Sequence, residues 1–246
     1  AMLLLLSIPC ILWLVGWQWR MATHYSALDE FLFFITTTGT AMLPALLTCL
    51  VFIVVLVLIA RQVSWKMIIF TAVMLLAGTQ LIKTALKTFY QEPRPYMGYL
   101  VEHGVDEQQF YQEKRSVRQS IVLQTVEDNA TLPVYLKDHW AKETGYSFPS
   151  GHAAFAICWL MIVVLVLPMN RRRDWLIFSV VWIWTALMII SRIRFGMHYP
   201  LDVFMSTVFV PIVCLLYGKF TQCASFNVMF NYVMNGSIQR LFARKG

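Results

Sequence analysis

The 246 residues are 59% hydrophobic and only 13% charged, whereas a soluble domain carries about 45–50% apolar and about 25% charged residues. That excess of apolar surface must face lipid, so the composition excludes a soluble globular enzyme and points to one membrane-embedded domain over residues 1–246. The net charge of +7 is not gathered in a basic stretch interleaved with aromatics, so nothing points to nucleic acid.

In chain order, six apolar segments are expected to be transmembrane helices: roughly 2–18, 39–60, 67–86, 152–168, 175–191 and 203–220. Each is close to the about 20 residues that a bilayer core requires. The first has no basic flank and no small-residue cleavage site after it, so it reads as a span rather than a signal peptide. The second is preceded by "FLFFITTTGTAM", an interfacial segment or an early start of the span. The predicted fold class is therefore an all-α integral membrane protein with six spans. Cys10, Cys49, Cys158, Cys214 and Cys223 lie in or beside the apolar runs without metal or redox spacing; they read as small packing residues.

Charge sets the expected orientation. The short connections "RQVSWK" (61–66) and "NRRRD" (170–174) and the tail "QRLFARKG" fall on one face if six spans alternate, and all three are basic. Lys and Arg favour the cytoplasmic side, which places both termini inside. Residues 91–147 then form an extracytoplasmic loop, with nine acids against six Lys and Arg. A connection of that length normally has structure of its own, and its Tyr, Phe and Trp content suggests a partly helical cap between spans three and four.

The polar residues at the span ends gather on that same outer face. "KTFYQEPRP" puts Lys87 and Arg94 at the end of span three. "FPSGH" puts Ser150, Gly151 and His152 at the start of span four. "SRIRFGMHYPLD" puts Arg192 at the end of span five, with His198 and Asp202 at the start of span six. A helix start offers unpaired N–H groups and a positive dipole to a phosphate. Gly151 allows close backbone approach, Ser150 adds a hydroxyl, and Lys87, Arg94 and Arg192 supply charge and forked donors. Asp202, four residues after His198, can hold one ring nitrogen and free the other as base or nucleophile; His152 is the natural general acid. No carboxylate cluster suggests a metal or other cofactor. Lys83 reads as a residue snorkelling to the interface, Arg194 as interfacial or supporting, and His24, His103 and His139 as surface residues.

These three motifs, complete and in order, resemble the signatures of the type 2 phosphatidic acid phosphatase superfamily, which also includes the vanadium haloperoxidases. "FYQEKRS" and "YLKDHWAKETGYSFPSGH" extend the likeness to one bacterial branch. The resemblance implies a metal-independent lipid phosphatase of the bacterial cytoplasmic membrane, with His198 as nucleophile forming a phosphohistidine and Asp202 orienting it. It makes His152 the acid that protonates the leaving group and then activates water. Lys87, Arg94, Ser150, Gly151 and Arg192 would hold the phosphate. Implied substrates are phosphatidylglycerol phosphate, undecaprenyl pyrophosphate, phosphatidic acid and lysophosphatidic acid; no obligate protein partner is implied. Two alternatives stay open at this point: an enzyme acting mainly on undecaprenyl pyrophosphate, and a non-catalytic carrier of lipid phosphates. Intact His152, His198 and Asp202 speak against the carrier, since binding alone needs only the cations.

Overall fold

A computed structural model describes residues 2–40 and 42–222; the basic tail and Cys223 lie outside the described residues. Their regular structure is all helical, with no strand among the described residues. The helices are α1 (Met2–Leu14), α2 (Ala27–Thr37), α3 (Met42–Ile59), α4 (Trp65–Tyr90), α5 (Met97–Glu102), α6 (Glu107–Gln112), α7 (Arg115–Val126), α8 (Val134–Lys142), α9 (Gly151–Val166), α10 (Arg172–Arg194) and α11 (Pro200–Thr221). Four of them, α3, α4, α10 and α11, are long and apolar enough to cross a membrane; α1 and α9 are shorter apolar helices.

The local signals are those expected of helix ends. Ser64 caps α4, its hydroxyl accepting from the Met67 N–H at 3.2 Å and satisfying one of the first orphan donors. At the other end Gln91 turns left-handed at φ 47, and Pro93 and Pro95 prevent the helix from resuming. Pro200 opens α11 at its first turn, where the missing N–H costs nothing.

α9 is the central post. It packs on α4, α10 and α11 and buries His152 through Val163 and Val166. Having almost no lipid-facing stripe, it need not match the bilayer thickness, which accounts for its 16 residues. α3 is the opposite case: Leu56 is its one buried residue, and Met42, Leu43 and Leu58 stand open. In a membrane protein that is the pattern of a peripheral, lipid-facing helix. The expected first span is shortened to 13 residues with Pro9 inside it, and "FLFFITT" belongs to a separate helix, α2, packed against α10.

Residues 91–147 hold α5 to α8 and a second apolar core of Tyr96, Leu100, Phe110, Val122, Leu136 and Trp140. Phe195 and Met197, from the stretch between α10 and α11, are buried in that same core. The Trp140 indole N–H donates to the Phe195 carbonyl at 2.9 Å, and the Tyr96 N–H donates to the Gly196 carbonyl at 3.0 Å. The segment thus fixes the 195–198 turn, which carries His198.

Candidate active site

Four helix ends converge: the last turn of α4, the first of α9, the last of α10 and the first of α11. α9 and α11 are tied where they start, since the Ser150 N–H donates to the Asp202 carbonyl at 3.3 Å and the Ser206 hydroxyl donates to the Ser150 carbonyl at 3.0 Å. Lys87 and Arg192 lie in the last turns, Gly151, His152 and Asp202 in the first turns, Ser150 caps α9, and Arg94 and His198 sit in the adjoining connections. Arg94, Ser150, His152, Arg192, His198 and Asp202 are all buried, so most of their polar atoms bond within the protein.

His198 Nδ1 lies 3.2 Å from Asp202 Oδ2. That oxygen also accepts from the Tyr199 N–H at 2.9 Å, which fixes the carboxylate and, through it, the ring. Burial holds the His198 imidazole well below its usual pKa, with Arg94, Arg192 and Lys87 acting in the same direction and Glu143 opposing. The ring is therefore neutral at pH 7, a condition for a nucleophilic nitrogen. His152 Nε2 sits 2.8 Å from the Thr40 hydroxyl and 3.4 Å from Glu143 Oε1.

Backbone carbonyls orient Arg94 and Lys87, and side chains orient Arg192. Arg94 donates through Nε to Gly145 at 2.7 Å and through Nη1 to Met197 at 3.1 Å. Lys87 Nζ donates to the Tyr146 carbonyl at 2.5 Å. Arg192 is fully buried; its Nη1 donates to Thr36 Oγ1 at 3.0 Å and to His139 Nε2 at 2.9 Å, and its Nη2 to Glu143 Oε2 at 2.9 Å. Arg192 Nε has no protein acceptor, leaving one N–H that an anion could take up. Among the described residues, no group of three His, Cys, Asp or Glu side chains could hold a metal ion.

Four site residues were not anticipated. Glu143, at the end of α8, bridges the two guanidiniums, 2.9 Å from Arg192 Nη2 and 3.3 Å from Arg94 Nη2. Burial alone would raise its pKa, but the adjacent guanidiniums of Arg192 and Arg94 hold it well below the usual carboxylate range. His139, expected on the surface, is 3% exposed. A guanidinium can only donate, so His139 Nε2 must accept from Arg192 and stay unprotonated; its pKa is pushed down to about 3, by burial first, with Arg192 and Arg94 adding to it against Glu143. Thr36 accepts from Arg192 and stands 3.0 Å from Ser191 Oγ, which donates to the Met188 carbonyl at 2.7 Å. Thr40 completes the set at His152. None of these has a spacing signature: the first two sit in the loop and the others in a run of threonines whose partners are more than 100 residues away. Arg194 is not at the site. It pairs with Asp29 at 2.6 and 3.2 Å and pins α2 to the end of α10.

The geometry describes an anion cradle walled by cations, with an oriented neutral imidazole on one side and a second histidine on the other. Such a site can transfer a phosphoryl group by positioning and charge stabilisation. Comparison with known proteins agrees. Residues 65–223 match the PAP2 superfamily. Phosphatidylglycerophosphatase B of Haemophilus influenzae is 33% identical over 92% of this chain and 96% of its own length. The protein of the same name from Escherichia coli is 32% identical over 83% of this chain and 80% of its own length. With more than half its length matched and relatives above 30% identity along most of both chains, this chain belongs to the PAP2 superfamily.

Proposed function

We propose that this PAP2 phosphatase is a lipid phosphatase that hydrolyses phosphatidylglycerol phosphate to phosphatidylglycerol and phosphate, and that it also accepts undecaprenyl pyrophosphate, phosphatidic acid and lysophosphatidic acid. Its relatives are named for the first of these activities. The observation that carries the mechanism is the His198–Asp202 contact at 3.2 Å. With Nδ1 held by the carboxylate, Nε2 is the free lone pair.

In the first step Nε2 of His198 attacks phosphorus. The N–P bond forms, the P–O bond to the lipid breaks, and the leaving alkoxide takes a proton from His152. Asp202 stabilises the charge that develops on the His198 ring. In the second step His152 takes a proton from water, the hydroxide attacks phosphorus, and the N–P bond breaks to return His198 and free phosphate. Lys87, Arg94, Ser150, Gly151 and Arg192 hold the phosphoryl oxygens throughout; Ser150 and Gly151 do so at the positive end of α9. The residues at the site supply every proton transfer.

The reading places α1, α3, α4, α9, α10 and α11 as six spans in a bacterial cytoplasmic membrane, with both termini in the cytoplasm. Residues 91–147 form the extracytoplasmic cap over the site. Two facts support this: the site residues share one end of the bundle, and the connections 61–66 and 170–174 at the other end are basic, as cytoplasmic loops are. α2 would lie at the outer interface.

The test is phosphate release by the purified protein from those four lipids in detergent, with brief acid-labile labelling from a phosphate-labelled substrate. Label is expected on the wild-type protein and absent from His198→Ala. Label that survives in His198→Ala would remove it as nucleophile.

A further inference from the structure

A cavity of about 410 Å3 lies behind the active-site turn, walled by the connection between α1 and α2 on one side and by α5 on the other. Two opposite charges line it, Arg20 and Glu102. Both are exposed, and among the described residues neither forms an ion pair. They face one space without meeting. A ligand between them can satisfy both if it carries an anion at one end and a cation at the other. The walls are fixed before anything enters. The Trp19 indole N–H donates to the Arg194 carbonyl at 3.0 Å. Asn129 Nδ2 donates to the Tyr99 hydroxyl at 2.9 Å and to Met21 Sδ at 3.5 Å, which ties one wall to the other and lowers the cost of ordering them around a ligand.

Depth and chemistry indicate the ligand. Trp13, Trp17 and Trp19 fall at and just beyond the end of α1, as tryptophans do at the headgroup level of a bilayer, and Arg20 follows at once. Its guanidinium offers forked donors to a phosphodiester. The Glu102 carboxylate accepts from an ammonium, and the aromatic rings of Trp19 and Tyr99 beside it favour a cation. An anionic headgroup would meet Glu102 as a like charge, and a metal ion would meet Arg20 as one.

We propose that the cavity between Arg20 and Glu102 binds the headgroup of a zwitterionic phospholipid with a primary ammonium, a phosphatidylethanolamine of the outer leaflet, as a resident lipid separate from the substrate. The inference uses the membrane placement proposed above and does not depend on the phosphatase reading. The occupant reaches the active site through two stretches of backbone. Pro95, a wall residue, adjoins Arg94. Trp19 packs so close on Gly196 that an added methyl would stand 2.6 Å from its ring. A headgroup in place therefore braces the Arg94 turn and the 195–198 turn, and the folded state gains stability from its binding.

The test is calorimetric titration of the full-length protein in detergent, with saturating orthovanadate present so that the catalytic site is filled. The probes are dihexanoyl phosphatidylethanolamine, dihexanoyl phosphatidylglycerol and soluble phosphoethanolamine, each against wild type, Arg20→Gln, Arg20→Lys and Glu102→Gln. Wild type should bind the ethanolamine lipid at one site and prefer it to the glycerol lipid. Because both charges are exposed, each contact contributes modestly, so Kd for the ethanolamine lipid should rise about three- to five-fold in Arg20→Gln and in Glu102→Gln. Arg20→Lys should stay near wild type, and Glu102→Gln should narrow the preference between the two lipids. Thermal unfolding supplies the second readout: the four proteins should melt alike without lipid, and the ethanolamine lipid should raise the melting temperature less in the two neutral variants than in wild type. No saturable binding, equal binding of the two lipids by wild type, or affinities unchanged in both neutral variants would overturn the site. Phosphoethanolamine bound as tightly as the lipid would overturn the lipid as its occupant.

Discussion

On the proposed phosphatase reading, Glu143 occupies donors that a substrate phosphate would use. Its Oε2 lies 2.9 Å from Arg192 Nη2 and 3.3 Å from Arg94 Nη2, and an incoming anion must displace it or share those groups. In Glu143→Gln the shape is kept and the charge removed. A hydrogen bond to a charged group contributes about 1.5–3 kcal/mol, and each 1.4 kcal/mol is ten-fold in affinity. Orthovanadate, a mimic of the five-coordinate phosphorus, should then inhibit about ten- to a hundred-fold more tightly in the variant. The protein without an anion should become less stable, because removing one partner of a buried pair costs about 3–5 kcal/mol and here strands two guanidiniums. The assays are vanadate inhibition of phosphatidic acid hydrolysis in mixed micelles, and thermal unfolding with and without vanadate. Glu143 is held well below the usual carboxylate range, so it stays charged at and above neutral pH and the gap between wild type and variant should be the same at pH 7 and pH 8. An unchanged or weaker vanadate Ki in Glu143→Gln would refute the idea that this carboxylate competes with phosphate.

Three further outcomes are expected. Thr40→Val removes the 2.8 Å contact to His152 Nε2; a neutral hydrogen bond of about 1 kcal/mol predicts an about five-fold fall in kcat on a lipid phosphate, rescued by Thr40→Ser, and equal activities of the Val and Ser variants would count against a positioning role. Gly196 has φ +66, and a methyl there would stand 2.6 Å from the Trp19 ring; Gly196→Ala combines about 1–2 kcal/mol of left-handed strain with about 1–3 kcal/mol of overpacking, so thermal unfolding should fall clearly and activity with it, and an unchanged melting temperature would refute the close fit. His139 titrates near 3 in the fold against about 6.5 unfolded. The unfolded state binds the extra proton, so this stability is complete above about pH 6.5 and is lost progressively as pH falls towards 3; His139→Gln should flatten the dependence of melting temperature on pH in that window, and a parallel slope in both proteins would contradict it.

The sequence by itself determined the all-helical membrane class and the family, and it pointed to a phosphatase. Apolar runs of fixed length can only be membrane helices, because backbone polar groups in lipid must bond within their own segment. The His198–Asp202 relation was also legible, since a separation of four residues at a helix start is local geometry. Lys87, Arg94, Ser150, Gly151 and Arg192 could be assigned to one end of the bundle because alternation of spans turns sequence order into sidedness. The tertiary structure alone decided what each charge faces. Glu143 and His139 lie in a stretch with no regular period, and Thr36 and Thr40 lie ahead of α3. They reach Arg192 and His152 only because α2 packs on α10 and because the core around Trp140 locks α8 over the 195–198 turn. Lys83 shows the same limit: its position on α4 was readable, but whether it snorkels outward or lies along Gly151, where an added methyl would stand 3.1 Å from Lys83 Cδ, depends on how closely α9 approaches α4. That approach is set by packing between residues about 70 positions apart, a long-range contact that no local pattern encodes.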